Sequence, residues 1–334
     1  MSTHEREIAT PVTLARPDGR LDRNAVGWSR RPMHDTALPG RWGRRKRWEY
    51  WCFTTNTHLV AVTVSSLDYV ALTGVYFLEY GGAELEKVSV APLSRGVALP
   101  DSLDGGRIDV TAGKVRVSII PAARGTRVLA SCLTAHGYLE ADLFSARPAG
   151  HESMNVVIPW DDHHYQYTSK QVARPAEGVV SVGCRTFGFD DGWSVLDHGR
   201  GRWPYDTLWN WGAASGRAGD RTVGIQLGGK WTEGTGLTEN ALVVDGRVTK
   251  IGSELNWTYD TRDLTKPWRI AAPDAVDLTF MPFHERHVRA NALVLSNDTR
   301  QVFGHYSGLI YPDGEPPLAV DSLLGWAEQV HMRW

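Results

Sequence analysis

The chain has 334 residues, enough for two domains of ordinary size, each with its own hydrophobic core. Its 36 basic and 38 acidic residues nearly balance, so no global electrostatic field favours nucleic acid or an anionic membrane. Three cysteines without a Cys-x-x-Cys pair argue against a disulfide framework and a cysteine-rich zinc site, and they are typical of reduced thiols in a cytoplasmic protein.

The N-terminus is polar and charged and lacks the apolar segment of a secretory signal. Residues 1–40 carry proline, arginine and glycine with little periodicity, which predicts an irregular segment wrapped over the surface. The basic run at 44–47 is flanked by Trp42 and Trp48 and leads into a strand pattern. An internal ion pair is favoured for this run, while phosphate, carboxylate or nucleic-acid binding remain alternatives.

The next apolar run, 59–80, is rich in β-branched residues and is interrupted by Asp68 and Glu79. It therefore predicts two strands rather than a membrane-spanning helix, and no integral membrane segment is expected. Short alternating runs recur at 108–110, 114–120 and 179–182. This pattern is typical of half-buried β-strands and predicts an all-β protein with little helix.

Asp-Gly and Gly-Gly pairs separate these runs, and the sequence 241–251 predicts a tight hairpin that turns at Asp245-Gly246. A short helix is expected only around 321–329. Many short strands with glycine turns indicate antiparallel barrels or sandwiches. We expect a first β-domain over 41–172 and a second over 173–334, divided near the polar stretch 171–178.

Two histidine-containing motifs resemble metal ligands without matching a known site. Asp161-Asp162-His163-His164 places adjacent side chains on opposite faces of a strand, and the sequence nominates no further ligands. The histidines His284 and His287 are three residues apart and lie outside a helical pattern, unlike those of zinc proteases. No metal site is expected, and no phosphate-binding loop or nucleophile-elbow motif is present.

The most unusual segment is 183–240, in which the Asp197-His198 pair precedes a dense group of aromatic residues. Indoles around a carboxyl group lower the local dielectric and favour a proton donor, and their faces stabilise a developing cation. The alternative is structural: Asp197 forms an ion pair with Arg200 or Arg202 and closes a barrel end. The predicted wall and anchor residues of a ligand pocket are Trp203, Tyr205, Trp209, Asn210, Trp211, Trp231, Glu239 and Asn240.

Over nearly its full length the chain resembles a bacterial family, domain-of-unknown-function family 2804. The resemblance is carried by Gly27-Trp-Ser-Arg-Arg-Pro, Leu38-Pro-Gly-Arg-Trp-Gly, Val157-Ile-Pro-Trp, Asp197-His-Gly-Arg-Gly-Arg-Trp-Pro-Tyr, Thr238-Glu-Asn-Ala-Leu and Gly325-Trp-Ala-Glu. The family has no established activity, so this resemblance implies no chemistry.

A second, local resemblance covers about 60 residues and does imply chemistry. Val195-Leu-Asp-His-Gly-Arg-Gly, Trp209-Asn-Trp, Val223-Gly-Ile-Gln-Leu and Val244-Asp-Gly-Arg are similar to the core of the carotenoid-hydratase and AttH-like group. That group has two lipocalin-like barrels, and its members hydrate, isomerise or cyclise hydrophobic substrates without cofactors. In this chain Gly199 and Arg200 replace the Glu-Trp that usually follows Asp-His.

These observations lead to one functional hypothesis and two rivals. The hypothesis is a cofactor-independent hydratase, isomerase or cyclase acting on an isoprenoid- or polyketide-like molecule, with Asp197 as proton donor and His198 orienting Asp197 or a water. The first rival is a lipocalin-like carrier that uses the same aromatic pocket without an acid. The second is a Trp-lined glycosidase that pairs Asp197 with Glu233 or Glu239.

Overall fold

The computed structural model describes residues 3–40, 42–292 and 294–334. These residues form strands and a single 3₁₀ turn, Arg23–Ala25, and no helix among them is long and apolar enough to cross a membrane. The strands are β1 (Val12–Thr13), β2 (Trp28–Ser29), β3 (His34–Asp35), β4 (Lys46–Thr54), β5 (His58–Ser66), β6 (Val70–Glu79), β7 (Glu84–Pro92), β8 (Ile108–Ala112), β9 (Val115–Ala122), β10 (Gly125–Thr134), β11 (Gly137–Ala146), β12 (Met154–Pro159), β13 (Tyr165–Val182), β14 (Arg185–Gly188), β15 (Gly192–Arg202), β16 (Asp206–Ala218), β17 (Arg221–Gly229), β18 (Asn240–Val244), β19 (Arg247–Ile251), β20 (Asn256–Thr258), β21 (Trp268–Ala272), β22 (Val276–Ala292), β23 (Leu295–Ile310) and β24 (Leu318–Arg333).

The first sheet follows the order β7-β6-β5-β4-β15-β13-β11-β10-β9-β8, with β12, β14 and β2 added beside β13. Its two ends approach each other, because the Ser89 hydroxyl on β7 donates a 2.6 Å hydrogen bond to the Ala112 carbonyl on β8. The sheet is therefore a nearly closed barrel. Alternating β-branched residues fill its interior, as the strand patterns predict.

The second sheet has nine strands in the order β19-β18-β17-β16-β24-β23-β22-β21-β20 and forms a half-barrel. Its inner face buries a separate apolar core that includes Trp268, Phe280 and Tyr306. The all-β class and the two lipocalin-like units expected from the sequence are thus confirmed. Because both barrel interiors are filled with side chains, space for a ligand has to lie between the sheets.

The predicted division of the chain does not coincide with the change of sheet. The polar stretch 171–178 lies inside β13, and the first sheet continues through β15 to Arg202 before the second begins at Asp206. The stretch resembles a linker because it is polar and contains a proline. In the structure it stays within the strand, and a bulge interrupts its pairing between Gln171 and Arg174. The bulge carries Val172 towards β17, where a Cβ on Gly224 would approach its side chain within 2.5 Å.

Two local predictions had opposite outcomes. The 241–251 hairpin is present as β18 and β19, and Asp245 and Gly246 adopt φ angles of 47° and 78° at its turn. The helix expected around 321–329 is wrong, because this segment lies within β24. It pairs on both sides, with β16 and with β23, so backbone pairing and burial outweigh the weak helical pattern.

The N-terminal segment and the basic run have structural contacts. Within residues 3–40, Leu14, Leu21 and Ala25 are buried with Tyr165 and Tyr167 of β13. At the start of β4 the basic run folds around one buried carboxylate. Arg45 and Arg47 lie 2.9 and 3.6 Å from Asp68, which is the internal ion pair that the sequence favoured.

Candidate functional site

A cavity of about 520 Å³ lies between the two sheets and is lined mainly by apolar and aromatic side chains. From the first sheet β4, β5, β6 and β7 face it, together with alternate residues of β13 and with Asp197 of β15. From the second sheet β16, β22, β23 and β24 face it. Its volume is that of a site for a drug-sized molecule.

Asp197 projects into this cavity from β15, and its carboxylate is held by three donors. The Trp48 indole donates to Oδ2 at 3.1 Å, and the Thr168 hydroxyl donates to Oδ1 at 3.1 Å. The Lys170 ammonium lies 3.0 Å from the same Oδ1. A carboxylate makes all three of these contacts better than a carboxylic acid does, because each partner is a donor.

Lys170 joins Asp197 to a second buried carboxyl group. Its Nζ lies 3.0 Å from Glu239 and 4.3 Å from the centre of the Trp211 ring. Burial opposes the charge on Lys170, but the carboxylates of Asp197 and Glu239 outweigh it and raise the pKa of the lysine. Burial also raises the pKa of Glu239, although its contacts with Lys170 and with the Trp231 indole at 2.7 Å act in the opposite direction.

Glu328 faces the cavity from the opposite sheet. Lys170 and Arg286 act on it electrostatically, but neither of them forms an ion pair with its carboxyl group. The Trp209 indole donates to its Oε1 at 3.1 Å, and the Gln301 amide donates to its Oε2 at 3.3 Å. The group is 7% exposed, and burial raises its pKa to about 7. A carboxyl group with this pKa is divided between acid and base forms near neutral pH, as general acid–base chemistry requires.

A cluster of six indoles is centred on Trp203, and all of them except Trp160 line the cavity. The centre of the Trp203 ring lies 4.9 to 5.9 Å from the ring centres of its five neighbours. These neighbours are Trp48, Trp160, Trp209, Trp231 and Trp334. The predicted wall residues Trp203, Trp209, Trp211 and Trp231 all line the cavity, as does Glu239.

Gly199 explains how Trp48 reaches Asp197. The two residues pair across β4 and β15, and a Cβ on Gly199 would lie 2.2 Å from the Trp48 indole. The absence of a side chain at 199 lets the indole lie flat over β15 and donate to the carboxylate. The glycine that departs from the carotenoid-hydratase pattern is therefore required by the packing of this site.

We expect Gly199→Ala to displace the Trp48 indole and to lower the free energy of unfolding by about 1–3 kcal/mol, the usual cost of overpacking. Gly74→Ala is the matched control, because Gly74 also lines the cavity and its added Cβ would make only ordinary contacts, at 3.5 Å from the Val88 side chain and 3.9 Å from the Lys87 carbonyl oxygen. Urea unfolding and tryptophan fluorescence of both variants test this. Equal effects of the two substitutions would contradict the packing role of Gly199.

Four of the predicted site residues do not line the cavity. His198 points to the interior of the first barrel, because adjacent strand residues face opposite sides, and its Nδ1 lies 3.3 Å from Glu49. Asn240 and Asn210 bind backbone groups of the second sheet, at Gly228 and Glu328 respectively. The fourth, Tyr205, is half-exposed, and its hydroxyl bonds to the Val294 carbonyl.

The geometry therefore gives no support to His198 as the residue that orients Asp197 or a water. Burial lowers the pKa of this histidine, and the neighbouring Arg200 lowers it further, so it is neutral inside the barrel. Arg200 lies 3.8 Å from Glu49 and donates to the Pro100 carbonyl, while Arg202 donates to the Pro39 carbonyl. Neither arginine forms the ion pair with Asp197 that the structural alternative requires.

The metal-like motifs have ordinary structural contacts. Asp161 accepts hydrogen bonds from the backbone of His163 and His164, which closes a turn after β12. His284 and His287 lie on β22 beside Glu84 and Asp298 respectively. In the described parts of the chain, no group of three or more His, Cys, Asp or Glu side chains is placed to hold a metal ion.

Sequence reasoning missed Lys170 and Glu328, the two residues that set the charge of the site. Gln166, Thr168 and Lys170 are every second residue of β13, so their polar side chains lie on one face of the strand. Tyr165 and Tyr167 lie on the other face. This alternation is the signal in the sequence for a strand that is buried on both faces. Glu328 lay in the segment expected to be helical. As part of a strand it is directly opposite Trp211 on β16 and Gln301 on β23.

Solved structures share this architecture. A structure described as CghA with Sch210972 matches with a TM-score of 0.51 and 12% identity, over 87% of this chain and 88% of that one. Kievitone hydratase from Nectria haematococca matches with a TM-score of 0.50 and 9% identity, over 90% and 94%. An AttH protein from Nitrosomonas europaea matches with a TM-score of 0.49 and 8% identity, over 88% and 98%. At these identities the likeness to the CghA and kievitone hydratase structures is one of fold.

No curated protein matches the chain in sequence. The family model described as domain of unknown function DUF2804 matches residues 5–334, which include both sheets and every residue of the cavity. This full-length match agrees with the resemblance carried by the Asp197-His-Gly-Arg-Gly-Arg-Trp segment. The chain therefore belongs to the DUF2804 family.

Proposed function

We propose that this protein is a cofactor-independent enzyme of the hydratase, isomerase or cyclase type. Its substrate is a largely apolar small molecule of the isoprenoid or polyketide kind, bound in the cavity between the sheets. Glu328 is the proton donor. The observation that carries the proposal is a buried carboxyl group with a pKa of about 7 on the wall of an aromatic cavity of about 520 Å³.

The proposed chemistry begins with transfer of the Glu328 proton to a carbon–carbon double bond of the substrate. The π electrons form the new C–H bond and leave a cationic carbon, which the faces of Trp209 and Trp211 stabilise by about 0.5–2 kcal/mol per contact. Water then adds and returns a proton to the Glu328 carboxylate in hydration. Loss of a neighbouring proton to that carboxylate completes isomerisation instead, and the acid is regenerated in both cases.

The proposal moves the role of acid from Asp197 to Glu328. Every contact of Asp197 is with a donor, so this group suits a fixed negative charge better than proton donation. The Asp197–Lys170–Glu239 cluster then holds a polar end of the substrate and adds electrostatic stabilisation.

The glycosidase rival receives less support from these contacts. A glycosidase places two carboxyl groups on opposite sides of a sugar ring. Here Asp197 and Glu239 both contact one ammonium group at 3.0 Å, so the space between them is filled by Lys170. Glu233 is exposed and does not line the cavity.

Turnover of an apolar bacterial extract in deuterated water tests the proposed function. We expect the native protein to convert some extract components into products that carry carbon-bound deuterium and either keep their composition or gain one water. Glu328→Gln should leave those components unchanged while still retaining them on the protein in native mass spectrometry. A compound that binds the native protein and is always recovered unchanged and undeuterated would identify a carrier instead.

A further inference from the structure

The cavity opens to solvent beside β7. Val88 and Val90 line it and are nevertheless 45% and 61% exposed, and Val288 and Ala290 of β22 face them across the opening. Clusters of large apolar side chains that are exposed to water are rare in monomeric proteins and usually mark an interaction site. Further exposed apolar side chains lie on the side of the first sheet and on the side of the second sheet.

On the side of the first sheet, Trp42 is 60% exposed and Leu93 is 53% exposed. Both flank the turn between β5 and β6. The amide of Gly43, the neighbour of Trp42, donates to Asp68, and the Leu93 amide donates to the carbonyl of Tyr69. The two apolar side chains thus belong to loops held at the same end of the barrel.

A chain of contacts joins this end to the second sheet. The Lys46 ammonium lies 2.8 Å from the Tyr69 hydroxyl and 5.5 Å from the centre of the Trp334 ring, and Trp334 lines the cavity. The Trp334 amide donates to the Tyr205 carbonyl, and the Tyr205 hydroxyl donates to the carbonyl of Val294. Tyr205 is 49% exposed and Val294 is 68% exposed. We call Trp42, Leu93, Tyr205 and Val294 the rim.

The charges around the rim are mainly positive. Arg44 follows Trp42 by two positions and is exposed, and Arg95 is an exposed residue of the turn after Leu93. Three acids at this end have basic partners. These acids and their partners are Asp68 with Arg45, Asp206 with Arg333, and Asp298 with His287 and Arg289.

We propose that the rim docks on the surface of an anionic lipid bilayer and that the cavity receives its apolar ligand there. Tryptophan and tyrosine favour the bilayer interface because one part of each ring is apolar and the other forms hydrogen bonds. Exposed arginines are attracted to anionic head groups over short distances even when the whole protein is nearly neutral. This inference concerns delivery of the ligand and holds for an enzyme and for a carrier.

Flotation with lipid vesicles tests the docking surface. We expect the full chain to bind vesicles of phosphatidylcholine mixed with phosphatidylglycerol, and to bind less with added salt or with phosphatidylcholine alone. Combined Trp42→Ser, Leu93→Asn and Val294→Ser should weaken binding at least about tenfold, since each buries an apolar side chain. Arg44→Glu with Arg95→Glu should abolish the preference for anionic vesicles.

Leu133→Asn with Tyr138→Ser is the matched control, because these side chains are each 45% exposed at the opposite end of the first barrel. Equal weakening by this control, or no binding of the native chain to either vesicle, overturns the proposal. So does a concentration-dependent dimer that the rim substitutions dissociate, because the rim would then contact a second copy. Retained Glu328-dependent turnover of detergent-dispersed substrate by the rim variant separates this result from the proposed function.

Discussion

Replacing Glu328 with glutamine should lower turnover about 10²–10⁴-fold at neutral pH, the contribution usually made by a positioned general acid. Glutamine keeps the size of the side chain, and its single oxygen can still accept the hydrogen bond from Trp209, while its NH2 group takes the place of the oxygen that faces Gln301. It carries no transferable proton. Binding of the substrate should therefore change much less than its conversion, which native mass spectrometry and single-turnover measurements distinguish.

The pH dependence of the native protein should report the same group. Burial raises the pKa of Glu328 from 4.5 to about 7, so the acid form is lost as the pH rises through about 7. Turnover should fall across that range. The folded protein should also lose stability from this group as the pH rises from 4.5 to about 7, because the unfolded chain ionises first, and the loss should amount to about 3 kcal/mol.

Glu328→Gln removes this loss and should be more stable than the native protein above pH 7, with no gain at pH 4. Glu254→Gln is the control, because partial desolvation also raises the pKa of Glu254 although the side chain is exposed and lies outside the cavity. It should change stability in the same direction but by less, because solvent screens an exposed carboxyl group, and it should leave turnover unchanged. An unchanged rate in Glu328→Gln, measured beside this control, would exclude Glu328 as the acid.

Most of the fold could be predicted from local patterns in the sequence. Alternation and β-branching predicted the strands, and Asp245-Gly246 predicted a hairpin because that turn needs two residues with positive φ. The point at which the chain passes from one sheet to the other could not be predicted from local patterns, since the segment that forms the bulge at Val172 resembles a linker in composition. Only the pairing of β15 with both β4 and β13 places that strand in the first sheet, and such long-range pairing has no local signal.

The aromatic wall of the site was predictable and its charges were not. Trp203, Trp209 and Trp211 can be recognised in the sequence because tryptophans are concentrated in this segment and because Trp209 and Trp211 are spaced to share one face of a strand. The partner of Asp197 is 27 positions earlier on β13, and the sequence offered two nearer arginines instead. An ion pair across neighbouring strands depends on register, which a single sequence specifies only through the faces that its residues bury.

Replacing Lys170 with methionine should destabilise the protein by about 3–5 kcal/mol at pH 7, the usual cost of removing one partner from a buried ion pair. Methionine is unbranched like lysine and only one atom shorter, but it carries no ammonium group to place over the Trp211 ring. Asp197 and Glu239 lose the ammonium group that both contact at 3.0 Å. The two carboxylates then face each other in a buried site without a compensating charge.

The loss should depend on pH and on the partner carboxyl groups. The pKa of Glu239 is already raised, and loss of the lysine raises it further, so the destabilisation should be largest above the unfolded value of 4.5 and should diminish in acid. Adding Asp197→Asn to Lys170→Met should recover part of the stability, which a double-mutant cycle in urea measures as coupling. Lys114→Met in an exposed turn should stay within about 0.5 kcal/mol of the native protein. If Lys170→Met matched that control, the ammonium group would contribute nothing to holding the two carboxylates together.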